Sequence, residues 1–179
     1  MAVRPILEYP DTRLALRADP VSEFDGRIAT IAEDLVETLH AHDSIGLCAP
    51  QIDERLQILV MDHSGNQSDP QVFINPVIRA RSRYGLIEER CLSVPDLSTL
   101  VFRATAVHVR AFNVKGEAFE RELNGMPAVC LQHEMDHFEG KLLADRINWL
   151  RRRRLNASLR RRAVAEQQSA ENRAGVPLP

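Results

Sequence analysis

Two histidines four residues apart, with a glutamate directly after the first, are the residues of this chain best suited to chemistry. They are His133, Glu134 and His137. Side chains at positions i and i+4 of a helix project from one face, so both imidazoles can bind the same divalent metal ion. Glu134 can then take a proton from a water molecule in the metal's open position. The spacing therefore predicts a metal-dependent hydrolase.

The sequence leaves the third protein ligand of this metal open. A longer zinc-protease pattern places a third histidine six residues after the second, but that position holds Leu143. Another protease pattern uses a downstream glutamate, and the first one beyond Glu139 is Glu166, in a polar and basic segment. Cys91 offers a thiolate that would complete a Cys-His-His set, although a free cysteine is also an ordinary buried hydrophobe. A metallopeptidase with a different third ligand is the alternative.

The elements that must position these residues predict an α+β domain. Ser22 is the candidate N-cap of a helix with apolar residues at helical spacing, which ends near Asp43. Segments 56–61, 72–74, 77–83 and 101–112 are predicted strands, and a shorter one is expected around 117–123. Gly125 and Pro127 mark the start of the helix that carries His133. We expect residues 1–166 to form a single domain and residues 167–179 a flexible tail.

Composition narrows the class of protein. A chain of 179 residues can bury the core of one domain, and no apolar run approaches membrane-spanning length. The N-terminus lacks the basic region followed by an apolar stretch that marks an export signal. Three widely spaced cysteines argue against a disulfide framework. We therefore expect a cytoplasmic protein with neither a membrane nor DNA as a partner.

Three separated motifs resemble the signature motifs of the peptide deformylase family, in the family's order. They are Ser-Ile-Gly-Leu-Cys-Ala-Pro-Gln at 44–51, Glu-Arg-Cys-Leu-Ser at 89–93 and Gln-His-Glu-Met-Asp-His at 132–137. Segments 9–11, 74–76 and 140–142, together with Leu14, extend the likeness over roughly residues 3–155. The resemblance implies antiparallel sheets packed around a central helix that carries the metal motif, with an N-terminal and a C-terminal helix. It also implies hydrolysis of the N-formyl group of N-terminal formylmethionine in newly synthesised polypeptides.

The resemblance assigns a role to each catalytic position. The matched metal ligands are one cysteine and two histidines, Cys91, His133 and His137. Glu134 matches the general acid/base, and Gln51 and the backbone N–H of Leu92 match the groups that stabilise the developing oxyanion. A metal-bound water would attack the formyl carbon. The family implies one divalent ion, with Fe(II) expected in the cell and zinc, nickel or cobalt as substitutes.

Substrate-binding positions and departures from the family pattern occur in the same motifs. The expected substrate-binding residues are Ile45, Gly46, Glu89, Arg90, Val129 and Cys130. Three of these, Ile45, Val129 and Cys130, are equally well explained by core packing. Arg90 and Ser44 stand where the family has glycine, and Cys48 where it has alanine. Arg90 therefore either strains the backbone or places a long side chain at the substrate entrance. The alternative function is a deformylase-like protein that keeps its metal site but has altered specificity or low activity.

A basic segment stands out near the C-terminus. Residues 146–162 contain eight arginines and no acidic residue, although the whole chain has a net charge of -2. Leu155 and Leu159 lie at i and i+4, so the sequence predicts a helix with a narrow apolar stripe surrounded by charge. A solvated helix face is the ordinary explanation of such a run. Because some deformylases dock on the ribosome through a basic C-terminal helix, the resemblance makes ribosomal RNA a candidate partner.

Overall fold

A computed structural model describes residues 2–174 of the chain, with side chains through Arg162. Within this range three α-helices and five β-strands are present, together with short 3-10 helices. The helices are α1 (Gly26–Ala41), α2 (Met126–Phe138) and α3 (Trp149–Ala174). The strands are β1 (Gly46–Cys48), β2 (Ile58–Met61), β3 (Gln71–Cys91), β4 (Val94–Phe112) and β5 (Ala118–Asn124). The 3-10 helices are Thr12–Ala15, Ala49–Ile52 and Leu143–Arg146. The predicted α+β fold with three helices is confirmed.

All five strands form one antiparallel sheet in the order β1-β2-β3-β4-β5. The sequence predicted shorter strands over 72–74 and 77–83, but β3 runs unbroken for 21 residues to Cys91. It passes Pro76 because the register with β4 shifts between Ile74 and Val77, where Asn75 has a φ of +50°. Such a bulge accommodates a proline that cannot donate to the ladder. β4 likewise begins at Val94, before the predicted 101, so β3 and β4 make a long hairpin whose turn is residues 92–93.

Helix α1 covers one part of the sheet. Its N-cap is Asp25, whose carboxylate accepts from the N–H groups of Arg27 and Ile28 at 3.0 and 3.2 Å, so the predicted cap at Ser22 is wrong. A carboxylate in that position satisfies N–H groups that the first helical turn leaves free. The apolar face of α1 packs on β1 and β2 in one buried cluster with Leu35, Leu39 and Ile58. This packing fixes the segment that leads into β1.

Helix α2 is almost entirely enclosed. Gly125 precedes it with a φ of +67°, which glycine adopts without strain, and Pro127 lies in the first turn as predicted. The Gln132 side chain donates to the Ala104 carbonyl at 2.7 Å and accepts from the Ala104 N–H at 3.3 Å. These two bonds tie the middle of α2 to the backbone of β4. Because His133 is the next residue of α2, its position relative to β4 is fixed by these bonds.

Helix α3 packs through the predicted apolar stripe. Leu155 is buried and Leu159 partly buried against a cluster that includes Leu14, Val101 and Leu142. The helix continues to Ala174, beyond residue 167, where the sequence predicted that the tail begins. The last five residues of that predicted tail lie outside the described range. None of the helices in residues 2–174 is both long enough and apolar enough to cross a membrane.

Candidate metal centre and active site

One cysteine and two histidines meet where the β3–β4 hairpin reaches α2. The last residue of β3 is Cys91, and α2 carries His133 and His137 one turn apart. One potential ligand atom from each lies within 4.8 Å of the other two, and Cys91 Sγ is 3.3 Å from His137 Nε2. All three residues are buried or nearly so. The structure therefore brings together the Cys-His-His set that the sequence left as one of two alternatives.

The donor set and its surroundings fit a divalent metal ion. A thiolate with two imidazole nitrogens provides three ligands of the kind that zinc and Fe(II) accept, with a fourth position left for water or substrate. Two buried polar atoms, Glu134 Oε2 and His137 Nδ1, have no hydrogen-bond partner among the described residues. A buried carboxylate oxygen without a partner is costly unless a bound group satisfies it. Glu134 is therefore placed to hold a water molecule beside the ligands.

Burial sets the protonation of the two α2 side chains that face the centre. Burial, with the positive charges of His133 and Arg103, lowers the pKa of His137 to about 3. The imidazole is thus neutral at physiological pH, the form that binds a metal. Burial also raises the pKa of Glu134 above its ordinary value. A carboxylate with a raised pKa both accepts and returns a proton more readily near neutral pH.

Glu89 holds His133 in place. Its Oε2 is 2.8 Å from His133 Nδ1, and its two oxygens accept from Arg103 Nε and Nη2 at 2.7 and 3.1 Å. Burial opposes ionisation of Glu89, but the hydrogen bonds to His133 and Arg103 outweigh it and bring the pKa to about 2. A second nitrogen fixed by a carboxylate orients a metal-binding imidazole. Glu89 thus lies behind His133, with its carboxylate held by two partners of the buried side.

Sequence reasoning missed the contact of Glu89 with His133, although the sequence contained a signal for it. Residues 89 and 91 of one strand share a face, so a glutamate two residues before a cysteine ligand points to the same side. Arg103 gave no such signal, because its place opposite Gly85 depends on the hairpin register. Its Nη1 also pairs with Asp136 at 2.9 Å, between the two histidines of α2. This buried arginine thus links the hairpin to the metal-motif helix.

Gln51 is oriented by two bonds to its amide. It lies in the 3-10 helix after β1, where its Oε1 accepts from the Cys48 N–H at 2.9 Å. Its Nε2 then points the other way, donating to Ser93 Oγ at 3.1 Å with Cys91 Sγ at 3.8 Å. Leu92 lies in the hairpin turn, and its N–H has no acceptor among residues 2–174. Two donors predicted from the sequence therefore flank Cys91, and Ser93, which the sequence did not single out, helps to aim one of them.

A cavity of about 360 Å³ opens beside these groups. All six predicted substrate-binding residues line it: Ile45, Gly46, Glu89, Arg90, Val129 and Cys130. Half-exposed Met126 lines it as well and was not predicted. A Cβ at Gly46 would overlap Cys130 Sγ and lie 3.0 Å from Glu134 Oε1. Glycine is therefore needed at position 46 for the close approach of β1 to α2.

Arg90 lies at the mouth of the cavity. It is exposed and is not among the residues with positive φ, so the strain explanation of this substitution is wrong and the entrance explanation is supported. The residue also lines a neighbouring cavity of about 570 Å³, together with Glu8, His42 and Asp96. Its guanidinium makes no hydrogen bond or ion pair with any other described residue. A positive charge without a partner among the described residues thus stands between the two cavities.

Fold and site together define a metal-dependent hydrolase with a Cys-His-His centre and a glutamate beside it. The sequence profile of polypeptide deformylase matches residues 3–153. The chain is 45% identical over 156 residues to a peptide deformylase of Acinetobacter baumannii, covering 87% of this chain and 89% of that protein. It is 43% identical over 162 residues to one from Neisseria gonorrhoeae, covering 90% and 97%. The solved structure of a Legionella pneumophila peptide deformylase superposes with a TM-score of 0.84 at 36% identity, covering 98% of this chain and all of that one.

The chain belongs to the polypeptide deformylase family. Its activity is the metal-dependent removal of the formyl group from the N-terminal formylmethionine of newly synthesised polypeptides. The resemblance drawn from the three motifs is confirmed over most of the chain. The protein is therefore a deformylase and not the alternative metallopeptidase.

Proposed function

We propose specific residues for each step of this deformylation. Cys91, His133 and His137 hold the divalent ion, and the 360 Å³ cavity lined by Val129 and Cys130 receives the methionine side chain. When bound, the ion supplies Lewis acidity that activates water and polarises the formyl group. Glu134 accepts the proton of the attacking water. The observation that carries this proposal is the buried, unpartnered Oε2 of Glu134 beside the ligand cluster.

Two donors are proposed to stabilise the negative charge that develops on the formyl oxygen. Gln51 Nε2 and the Leu92 N–H flank Cys91 from different segments, and both are fixed before substrate arrives. Donors that need no rearrangement stabilise the transition state more than the ground state. As the C–N bond breaks, Glu134 returns its proton to the leaving amine. Formate and a free methionine amine are the products.

We further propose Fe(II) as the ion bound in the cell, with zinc, nickel or cobalt as substitutes. The thiolate and two imidazoles suit all four ions, so the donor set supports a divalent transition metal of this group. The assignment is tested by expressing the protein without added metal, purifying it anaerobically and measuring the number of ions of each metal bound per chain. About one iron per chain supports Fe(II), and stoichiometric zinc with no iron contradicts it.

The residue roles are tested by formate release from formyl-Met-Ala-Ser with anaerobic Fe(II)-loaded protein. We expect release by the native chain and its loss in Glu134→Ala at unchanged metal content. Cys91→Ser should instead lose the metal itself, which separates a ligand from a proton carrier. Loss of metal in Glu134→Ala, or full metal content in Cys91→Ser, would contradict the assignment. A fully metallated native protein that releases no formate would favour the low-activity alternative.

We propose that residues 1–166 act as one catalytic domain in the cytoplasm, where formylated chains emerge from the ribosome. The packing of Leu155 against Leu14 and Leu142 supports the single domain, since the C-terminal helix completes a core cluster of the N-terminal part. The three buried cysteines are free thiols, which is typical of a reducing compartment. Limited proteolysis tests the domain: a stable fragment that ends before residue 155 would contradict it.

We propose that residues 146–162 contact the ribosome, because several arginines of this segment have no protein partner among the described residues. Arg146 and Arg152 pair with Asp136 and Asp145, and Arg151 bonds to the Ser98 carbonyl. Four others are exposed and form no ion pair with any described side chain: Arg153, Arg154, Arg160 and Arg161. Guanidinium groups without protein partners are free to bind phosphates. RNA phosphates are therefore the proposed ligands of these four.

Ribosome co-sedimentation tests this contact. Replacing the four unpaired arginines by serine should weaken co-sedimentation at low salt. The slope of log affinity against log salt should also become shallower, by up to about 0.9 for each phosphate that is no longer neutralised. The matched control replaces four exposed arginines of β3 and β4, namely Arg79, Arg81, Arg83 and Arg110. Equal weakening in both variants would indicate a general charge effect and overturn the proposed helix contact.

A further inference from the structure

The outer face of the β3–β4 hairpin carries an apolar patch that nothing in the described chain covers. Four side chains, Tyr84, Leu86, Leu100 and Phe102, are 56%, 64%, 60% and 66% exposed. Leu86 is the ladder partner of Phe102, and the rings of Tyr84 and Phe102 stack with centroids 5.5 Å apart. Clustered exposure of this kind marks a binding surface far more often than single exposed apolar residues do. These four side chains form the hairpin patch.

The hairpin patch is continuous with the mouth of the catalytic cavity. Side chains at alternate positions of a strand share a face, so Leu86, Glu88 and Arg90 lie in one row along β3. Glu88 and Arg90 line the cavity. From Arg90 the row reaches Leu86 after about 14 Å and Tyr84 after about 20 Å, at about 3.4 Å per residue. A chain that leaves the cavity at Arg90 and follows β3 must pass the patch.

The edge of β3 next to this row is open. Among residues 2–174, β2 pairs with β3 only over residues 71–74, so from Val77 to Arg90 the strand has β4 as its one described neighbour. An open edge of this kind accepts an extended peptide as an added strand. The formyl end of a substrate lies at Cys91, the last residue of β3, and its chain therefore runs antiparallel to that strand. In an antiparallel pair the directly opposite residues project on the same face.

We propose that the hairpin patch binds the downstream segment of the formylmethionyl substrate and favours apolar side chains there. This inference rests on the deformylase activity and adds a substrate preference to it. With the second or third substrate residue opposite Arg90, residues 6 to 9 lie along Leu86 and Tyr84. Only every second substrate residue projects its side chain onto the outer face, so the preference for an apolar side chain alternates along the substrate.

Three formylated nonapeptides that begin formyl-Met-Ala-Ser test the proposal. One has only serine and glutamine after position 3, one has leucine at positions 6 and 8, and one has leucine at 7 and 9. We expect one of the two leucine peptides to exceed the polar peptide in kcat/KM by about tenfold, mainly through a lower KM. Because the two leucine peptides share one composition, equal rates for them would overturn docking as an added strand.

Variants of the patch locate the effect. Leu86→Ser and Phe102→Ser should each remove most of the gain for the favoured leucine peptide and leave formyl-Met-Ala-Ser unchanged. The control is Val77→Ser, since Val77 is also exposed on β3 but lies about 30 Å from Leu86. Unchanged discrimination in both patch variants would overturn the proposal. A loss of formyl-Met-Ala-Ser turnover would instead reflect the catalytic site, so the two failures are distinguishable.

Self-association is the competing use of this surface, and sedimentation velocity decides it. A native protein that remains monomeric with the nonapeptide preference supports the proposal. A native dimer that Leu86→Ser converts to a monomer would assign the hairpin patch to a second copy of the chain and overturn substrate docking.

Discussion

The two faces of strand β3 differ sharply although their residues alternate along one segment. On the inner face Glu89 and Cys91 are buried, and Glu89 is held by His133 and Arg103. On the outer face Leu86 and Arg90 are exposed, and the Arg90 guanidinium has no partner among the described residues. The inner face therefore fixes single atoms for chemistry, whereas the outer face presents side chains free to contact a substrate.

This difference separates two kinds of effect. Changes on the inner side should act on the metal or on kcat, because the groups there meet the reacting atoms or orient those that do. Changes on the outer side should act on KM and on the choice of peptide, because contacts there are the same in the ground and transition states. A variant that violates this division would contradict the proposed arrangement.

The largest effect is expected at Glu134. Glu134→Gln keeps the shape of the side chain but cannot accept a proton, so kcat should fall by about 1,000-fold or more. Metal content should stay at one ion per chain, since the carboxylate is not one of the three proposed ligands. Formate release and metal analysis on the same sample check both statements. A fall of less than about tenfold would mean that another group moves the proton.

A smaller loss is expected when the contact of β1 with α2 is crowded. Gly46→Ala would place a Cβ that overlaps Cys130 Sγ and lies 3.0 Å from Glu134 Oε1, so the thiol must move and the crowded carboxylate must move with it by a few tenths of an ångström. We expect kcat to fall by about 100-fold, the size typical of small displacements of catalytic groups. Gly85→Ala is the matched control, because a Cβ there meets only Ile87 Cδ1, at 3.9 Å. Gly46→Ala with native kcat would contradict the close-approach explanation.

Removal of the carboxylate behind His133 should weaken metal binding. Glu89→Ala takes away the acceptor of His133 Nδ1, and the affinity for the ion should fall by about 10- to 100-fold. The adjacent Glu88→Ala serves as control, since Glu88 lies on the outer face and its carboxylate accepts a hydrogen bond from Ser98 rather than from a metal-motif histidine. Competition with a chelator measures both affinities. Equal losses in the two variants would contradict the distinction between the faces of β3.

The same carboxylate gives the metal-free protein an acid-dependent stability. The folded pKa of Glu89 is about 2, below its ordinary value of 4.5, so its ionised form stabilises the fold above pH 4.5. That contribution disappears as the pH falls from 4.5 through 2. The difference in unfolding free energy between native and Glu89→Gln proteins should therefore shrink over this interval. Urea unfolding at a series of pH values measures it, and a constant difference would contradict the assignment.

The sequence predicted the catalytic groups better than the elements that hold them. His133, Glu134 and His137 are local on one helix, so their spacing alone placed them on one face. Cys91 is the last residue of a strand that the sequence divided at Pro76 and ended at residue 83, because neither the bulge at Asn75 nor the pairing with β4 can be read from propensity. The ion pair of Arg103 with Glu89 joins residues 14 apart in the chain and needs the register of the hairpin. Contacts set by long-range register are the part that periodicity does not reveal.

The smallest expected effect concerns Arg90, where the outer face meets the cavity. Because the guanidinium is exposed, its contact with a charged substrate residue is weak, and Arg90→Gly should change kcat/KM by only about two- to fivefold. Peptides with lysine after formylmethionine should gain, peptides with aspartate there should lose, and the change should appear in KM. Metal content should not change. Salt should reduce the difference, since exposed charges are screened. If each peptide has the same KM in the native and Arg90→Gly proteins, the arginine does not contact the bound chain. The first residue of the outer row to meet the substrate would then be Glu88.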